Sequence, residues 1–293
     1  MEIRVLQYFL AVAREESITK AADALHITQP TLSRQIAALE EETGVKLFER
    51  GTRKITLTNE GLLLKRRAEE ILRLVDKTQQ ELVEQEDQIE GKITIGCGEL
   101  ASVRYLAKVI EEFRKLYPRV TYDLVTAPAD LVKDQIEKGL IDIGLLLEPI
   151  AVEKFDYKRL PIKERWVVIM KADDPLAEKE KVTAEELAQV PLILPRRTNV
   201  QSEIASWFGE FYPKLNVRFT SNLNSNGAMM VNQGLGYSVG IESSLPFWNQ
   251  QKITYRPLSP ELTATSVLAW KRNAPSSVAV TKFIQCFQSM DKA

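Results

Sequence analysis

Two architectures in series are predicted by this 293-residue chain: an all-α N-terminal segment ending in a small β-hairpin and a long helix, then an α/β region filling the C-terminal two-thirds. Three observations carry this reading. Before residue 58, apolar residues recur at helical spacing in three short runs separated by capping residues. From Thr58 to Ile89, roughly thirty residues pass without proline and apolar residues repeat every seven. From Lys92 onward, short apolar runs alternate with amphipathic ones, the grammar of strands layered against helices.

Composition bounds the function classes. A hydrophobic content of 44% and a net charge of −1 describe an ordinary globular protein and give no support to nucleic-acid binding on their own. No apolar run approaches the ~20 residues of a membrane span. The N-terminus has no basic region followed by an apolar stretch and cleavage site, so a cytoplasmic protein is expected, with no membrane partner. The two cysteines, Cys97 and Cys286, stand in no metal or redox spacing and read as buried small hydrophobes; redox sensing at Cys97 is the alternative. One histidine, His26, is too few for a zinc site or a Ser-His-Asp triad, so no metal and no catalytic residue is expected.

In the first helix, residues 3–14, Leu6, Phe9, Leu10 and Ala13 form the covering stripe. Ser17 caps a second helix whose buried edge is Ala21, Ala24 and Leu25, and His26 and Ile27 fill a short turn. Thr28 caps the third helix, with Pro30 in its first turn, where the missing N–H breaks no helix bond. Leu32, Ile36 and Leu39 repeat at i, i+4 and i+7 and face the core. Gln29, Thr31, Ser33, Arg34 and Gln35 lie off that stripe, and Gly44 offers the left-handed position that ends the helix. Two helices joined by a tight turn, the second presenting short polar donors, form a helix-turn-helix whose recognition helix enters a DNA major groove. Gln can address adenine and Arg guanine, each through two hydrogen bonds.

After Gly44, Lys46-Leu47-Phe48 and Lys54-Ile55-Thr56-Leu57 flank a glycine-tipped turn, Arg50-Gly51-Thr52-Arg53, and predict a hairpin wing. Charge balances across residues 1–57, but Lys46, Arg50, Arg53 and Lys54 gather in the wing while Glu40 to Glu42 sit at the far end of the recognition helix. Arg50, Arg53 and Lys54 are therefore candidates for phosphate or minor-groove contact. Thr58 caps the long helix, in which Ala68, Val75, Leu82 and Ile89 recur every seven residues with Leu64 and Ile71 between. This is a dimerisation helix, and pairing would set two recognition helices on successive major grooves of a roughly palindromic site.

The stretch AADALHITQPTLSRQIAALEEETGVKLFER resembles the DNA-binding segment of the LysR-type transcriptional regulators. The family's alanine pair, Thr/Ser-Gln-Pro, Ser-Arg-x-Ile and Leu-Glu stand here as Ala21-Ala22, Thr28-Gln29-Pro30, Ser33-Arg34-Gln35-Ile36 and Leu39-Glu40; Gly44, Leu47-Phe48 and Arg50 continue the pattern. In the α/β region FRKLYPRV from Phe113, GLIDIGLL from Gly139, DPLA from Asp174 and Gly234-Leu235-Gly236 are similar to markers of the family's effector domain. The resemblance implies a winged helix-turn-helix over 1–58 and a linker helix over 59–90. It further implies two α/β lobes like those of a periplasmic binding protein, from 91–162 with 267–293 and from 163–266. A small-molecule effector would bind between the lobes, with no cofactor. The implied partners are double-stranded DNA carrying an interrupted palindrome, a second copy as dimer or dimer of dimers, and RNA polymerase for an activator.

The strands expected in the α/β region are Lys92–Cys97, Val120–Val125, Ile141–Leu147, Trp166–Met170, Pro191–Leu194, Val217–Ser221, Tyr237–Ile241, 253–258 and 264–270. Ligands in such layers collect beyond the carboxyl ends of strands, at helix N-termini. Four turns qualify, Gly98–Ser102, Ala127–Asp130, Pro195–Ser202 and Asn222–Asn226, giving Glu99, Ser102, Arg196, Thr198, Asn224 and Asn226 as effector candidates. The chain departs from the family where Gly98 and Leu100 replace hydroxyl residues that hold an anion. Glu99 would repel one, with Arg196 or Arg197 as compensating charge. Two other functions remain open. A dinucleotide-dependent enzyme is suggested by Gly96-Cys97-Gly98-Glu99-Leu100-Ala101 with Asp123 as a ribose-binding acid. A structural DNA-binding protein would leave the α/β region unexplained.

Overall fold

The computed structural model describes residues 1–50, 54–83, 89–151, 153–196, 198–242, 249, 251–274 and 276–290. The chain divides into two compact units, Met1–Val83 and Glu84–Ala293.

In the first unit α1 (Ile3–Glu15), α2 (Ile18–Ala24) and α3 (Gln29–Thr43) pack around one core with a hairpin of β1 (Phe48–Arg50) and β2 (Ile55–Leu57) and with α4 (Asn59–Val83). The N-terminal caps follow the sequence: the Ser17 hydroxyl accepts the Lys20 amide, and the Thr58 hydroxyl accepts the Gly61 amide at 2.9 Å. Gly44 closes α3 in the left-handed region at φ 72°. Leu32, Ile36 and Leu39 are buried as their spacing requires. In α1 the buried face is Val5, Leu6, Phe9, Ala11 and Val12, with Leu10 half-buried at its edge and Ala13 half-buried as well. In α2, Ala22 is buried beside Ala21 while Ala24 is exposed. The first wing strand starts at Phe48, because Leu47 leaves the hairpin and enters the core, 1% exposed.

In α4, Ala68 is 0% exposed and Leu64 and Ile71 are half-buried against the same core, so this part of the expected seam also packs within its own unit. Among the described side chains of α4, Leu62, Leu63 and Leu74 are the large apolar ones that remain exposed. The side chain of Leu82 lies outside the described residues.

The second unit is a sheet in the order β4-β3-β5-β12-β6-β10-β8-β9, with β11 pairing both β6 and β7. Its strands are β3 (Gly91–Cys97), β4 (Val120–Thr126), β5 (Ile143–Leu147), β6 (Phe155–Lys171), β7 (Val182–Thr183), β8 (Pro191–Pro195), β9 (Asn216–Ser221), β10 (Tyr237–Ile241), β11 (Ile253–Ser259) and β12 (Thr263–Lys271). Helices α5 (Val103–Leu116), α6 (Ala129–Glu137), α7 (Ala184–Leu187), α8 (Thr198–Phe208), α9 (Asn224–Asn232) and α10 (Val278–Ser289) cover it. β6 is much longer than the Trp166–Met170 run suggests. Its first half pairs with β12 from Phe155 to Arg165, and its second half pairs with β10 and β11 from Trp166 to Lys171. One strand therefore serves both lobes of the two-lobed α/β fold. β12 lies antiparallel to β5, which returns the chain end to the first lobe, and Phe283 of α10 stacks edge-on against Phe113 of α5 at 5.2 Å.

Among the described residues no helix is long and apolar enough to cross a membrane.

Candidate nucleic-acid interface and ligand cleft

The first turn of α3 projects from the core stripe. Thr28, Gln29, Pro30 and Arg34 are exposed, and Thr31, Ser33 and Gln35 are half-buried at the edges of the helix. The Thr28 backbone takes the extended conformation of a cap, but its hydroxyl bonds the Thr31 hydroxyl at 2.8 Å and leaves the helix amides uncapped. The Arg34 Nε reaches back to the Pro30 carbonyl at 3.4 Å, holding the guanidinium over the N-terminal turn. That turn is a compact set of donors and acceptors of the kind that reads base edges.

Wing electrostatics differ from the sequence reading. Lys54 pairs with Glu16 at 3.2 Å, and Lys46 pairs with Glu40 at 2.8 Å, so these two cations are partnered within the unit. Both pairs are solvent-accessible and modest in energy, and a phosphate can compete for the lysines. The Arg50 side chain and all of Arg53 lie outside the described residues. Glu40, at the far end of α3, turns its side chain toward the wing. Its carboxylate also accepts the amides of Leu47 at 2.8 Å and Phe48 at 3.2 Å. Burial pushes the Glu40 carboxyl up, but these bonds and Lys46 together outweigh it and hold it below its ordinary value.

In the second unit a cleft of about 440 Å³ opens between the lobes. All four turns expected at the strand ends contribute: Gly98 to Leu100, Ala127 to Asp130, Pro195 with Arg196 and Val200, and Asn222 to Asn224. Leu145, Leu147, Leu194, Val239 and Ile241 supply apolar walls, and Trp166 lies at the point where β6 changes partners. Glu99, Arg196 and Asn224 line the cleft. Ser102 does not: it is fully buried, and Asn226 is exposed outside the lining. The Thr198 side chain and all of Arg197 lie outside the described residues.

Two carboxylates, one missed by the sequence reading, govern the helix N-termini here. Glu164, fully buried in β6, accepts the amides of Ala101 at 2.8 Å and Ser102 at 3.0 Å, filling the start of α5. Glu99, leaving β3, accepts the Ser225 amide of α9 at 3.0 Å from the other lobe. Asn224 is itself committed to the fold, donating to the Ile241 carbonyl at 2.8 Å. The indole N–H of Trp166 is buried without a partner among the described residues. No sequence spacing signals Glu164, because a single acid in a charged run looks like a solvated face.

Packing explains the first glycine of the turn, Gly96, but not Gly98. A side chain on Gly96 would meet Val132 Cγ1 at 2.6 Å, whereas one on Gly98 would meet nothing nearer than Leu100 at 3.8 Å. With Glu164 already on the α5 amides, a pyrophosphate would face a carboxylate. Asp123 sits in the middle of β4, paired with Thr94, away from the strand end.

Similarity to known proteins agrees with this anatomy. Residues 3–62 match the bacterial regulatory helix-turn-helix protein model of the lysR family, and residues 86–291 match the LysR substrate binding domain. The chain is 31% identical to the Hca operon transcriptional activator HcaR of Escherichia coli over 93% of its length and 92% of that protein. It is 30% identical to the Bacillus subtilis HTH-type transcriptional regulator YvbU over 97% of both. Among solved structures, the LysR family regulator CbnR superposes with a TM-score of 0.78 at 19% identity, covering 98% of both chains. Full-length CbnR in complex with its target DNA gives 0.76 at 20% identity, covering 98% and 99%. The chain belongs to the LysR family: it is a transcription regulator, not an enzyme, with a helix-turn-helix DNA-binding domain and a two-lobed effector-binding domain.

Proposed function

We propose that the N-terminal turn of α3 reads an interrupted palindrome, with Gln29, Thr31, Ser33, Arg34 and Gln35 toward base edges and Arg50, Arg53 and Lys54 toward phosphates or the minor groove. The exposed turn opposite the Leu32, Ile36 and Leu39 stripe supports this assignment. The chain acts as a homodimer or dimer of dimers. Its contacts on α4 use the apolar residues that its own core leaves uncovered, Leu62, Leu63 and Leu74, continuing through Val75 and Leu82. The setting is the cytoplasm, where the DNA is.

The observation that carries the regulatory reading is the cleft lined by four turns from both lobes, with apolar walls and a few convergent polar groups. Glu99 and Arg196 are the charged candidates for effector contact there, with Thr198 adjoining. Effector binding alters lobe packing, and through it the spacing of paired recognition helices and the contact with RNA polymerase. A thermal-shift screen of the full chain against amino acids, sugars, small carboxylates, amides, alcohols and nucleotides tests this. A ligand at 100 times its dissociation constant adds about 2.7 kcal/mol. Stabilisation by a metabolite class, abolished by Leu194→Trp in the cleft wall, supports the sensor reading; a stabilising ligand indifferent to that substitution places the effector elsewhere.

A further inference from the structure

One side chain, Glu99, reaches across the cleft from the first lobe to the second. Glu99 leaves the end of β3 in the first lobe, and its Oε2 accepts the Ser225 amide of α9, in the second lobe, at 3.0 Å. No side chain of α9 caps its own N-terminus; the preceding residue, Leu223, has none to offer. A helix start of this kind draws a negative group, and here the chain supplies it. The corresponding start of α5 is likewise filled, by the buried Glu164. Of the four helix starts around the cleft, those of α5 and α9 therefore already hold carboxylates of the chain itself, and Arg196 lies beside the start of α8. Asp130 adds a third acid to the lining.

We propose that Glu99 is an internal carboxylate ligand that determines effector class: it fills the anion position at the N-terminus of α9 and excludes carboxylate effectors from it. The wild-type effector is a mainly apolar molecule, uncharged at the end that meets Glu99, and it offers an acceptor to the indole N–H of Trp166. Trp166 is 3% exposed, lines the same cleft and has no partner for that N–H among the described residues. The apolar walls from Leu145, Leu147, Leu194 and Ile241 suit such a body.

This assignment rests on the cleft being the effector site, but its test does not need the effector. Glu99→Ala removes a group nearly equivalent to acetate, so acetate is the probe. Melting of the full-length wild type, Glu99→Ala and Glu99→Gln is followed in 100 mM sodium acetate, sodium chloride or acetamide. Acetate is expected to raise the melting temperature of Glu99→Ala by about 3–5 °C over chloride, with no such gain in wild type. Acetamide should not substitute. Glu99→Gln, whose amide oxygen still accepts the Ser225 N–H, should also show no gain. An equal response of wild type and Glu99→Ala, no response in either, or a gain in Glu99→Gln matching that of Glu99→Ala overturns the proposal. Failure of the sensor reading appears separately, as an effector whose binding ignores the cleft wall.

Discussion

The Glu40 carboxylate accepts the Leu47 amide at 2.8 Å, tying the end of the recognition helix to the residue that opens the wing. Leu47 is in turn 1% exposed, so this polar anchor sits at the edge of the core. Glu40→Gln keeps an acceptor but loses the charge, and should lower stability by about 1–2 kcal/mol at neutral pH. The sign with pH follows from the lowered carboxyl: its contribution is complete above the ordinary value of 4.5 and is lost as pH falls through the folded value. Urea denaturation of both proteins at pH 7 and at pH 4 checks this. The gap between them should shrink at the lower pH.

Gly61 lies one turn into α4, where alanine would ordinarily strengthen a helix by about 1 kcal/mol. Here a Cβ would stand 2.1 Å from the Leu47 carbonyl oxygen, which accepts the Thr58 amide at 3.1 Å. Gly61→Ala should therefore destabilise the first unit, by about 1–3 kcal/mol. Thermal melting reads the sign directly, and a stabilised variant would contradict the close approach.

Arg34→Ala should weaken binding to the specific site by about 1–3 kcal/mol while leaving random DNA almost unchanged, because base-directed contacts discriminate and phosphate contacts do not. Anisotropy titrations with both DNAs at one salt concentration provide the comparison. A uniform loss on both sequences would reassign Arg34 to the backbone.

Leu74 is 36% exposed on α4, and Val75 follows it beyond the part of the helix that packs on the unit's core. Replacing both with Lys should dissociate the dimer in sedimentation with little change in melting temperature of the monomer unit. Ile71→Lys, by contrast, should lower that melting temperature, since Ile71 packs against the core. An intact Leu74→Lys, Val75→Lys dimer would remove this face of α4 from the interface.

Cys97 is 2% exposed, and burial pushes its thiol up; Cys286 is half-buried and shifted the same way, by burial and then Glu112. A thiolate is scarce at neutral pH in such surroundings. Cys97 should resist iodoacetamide at pH 8 in the folded protein and react on unfolding, as peptide mass spectrometry will report. Rapid native labelling would return Cys97 to consideration as a redox sensor.

The sequence by itself determined whatever depends on neighbours within a turn or two. The Leu32, Ile36 and Leu39 stripe, the Ser17 and Thr58 caps, the Gly44 terminus and the strands β3, β4, β5, β8, β9 and β10 follow from helix and strand periods and from local hydrogen bonding. The four turns at the cleft were also legible, because strand ends and helix starts alternate regularly. Only the tertiary structure decided which acid meets which amide. Glu164 and Ser102 are separated by 62 positions, and Glu99 and Ser225 by 126, and a carboxylate carries no local mark of so distant a partner. The first half of β6 was hidden for a related reason: the charged run around Lys158 to Arg165 reads as loop until β12 pairs with it. Likewise a seven-residue repeat shows that Leu64, Ala68 and Ile71 share a face, but not that α4 turns this face to its own unit's core.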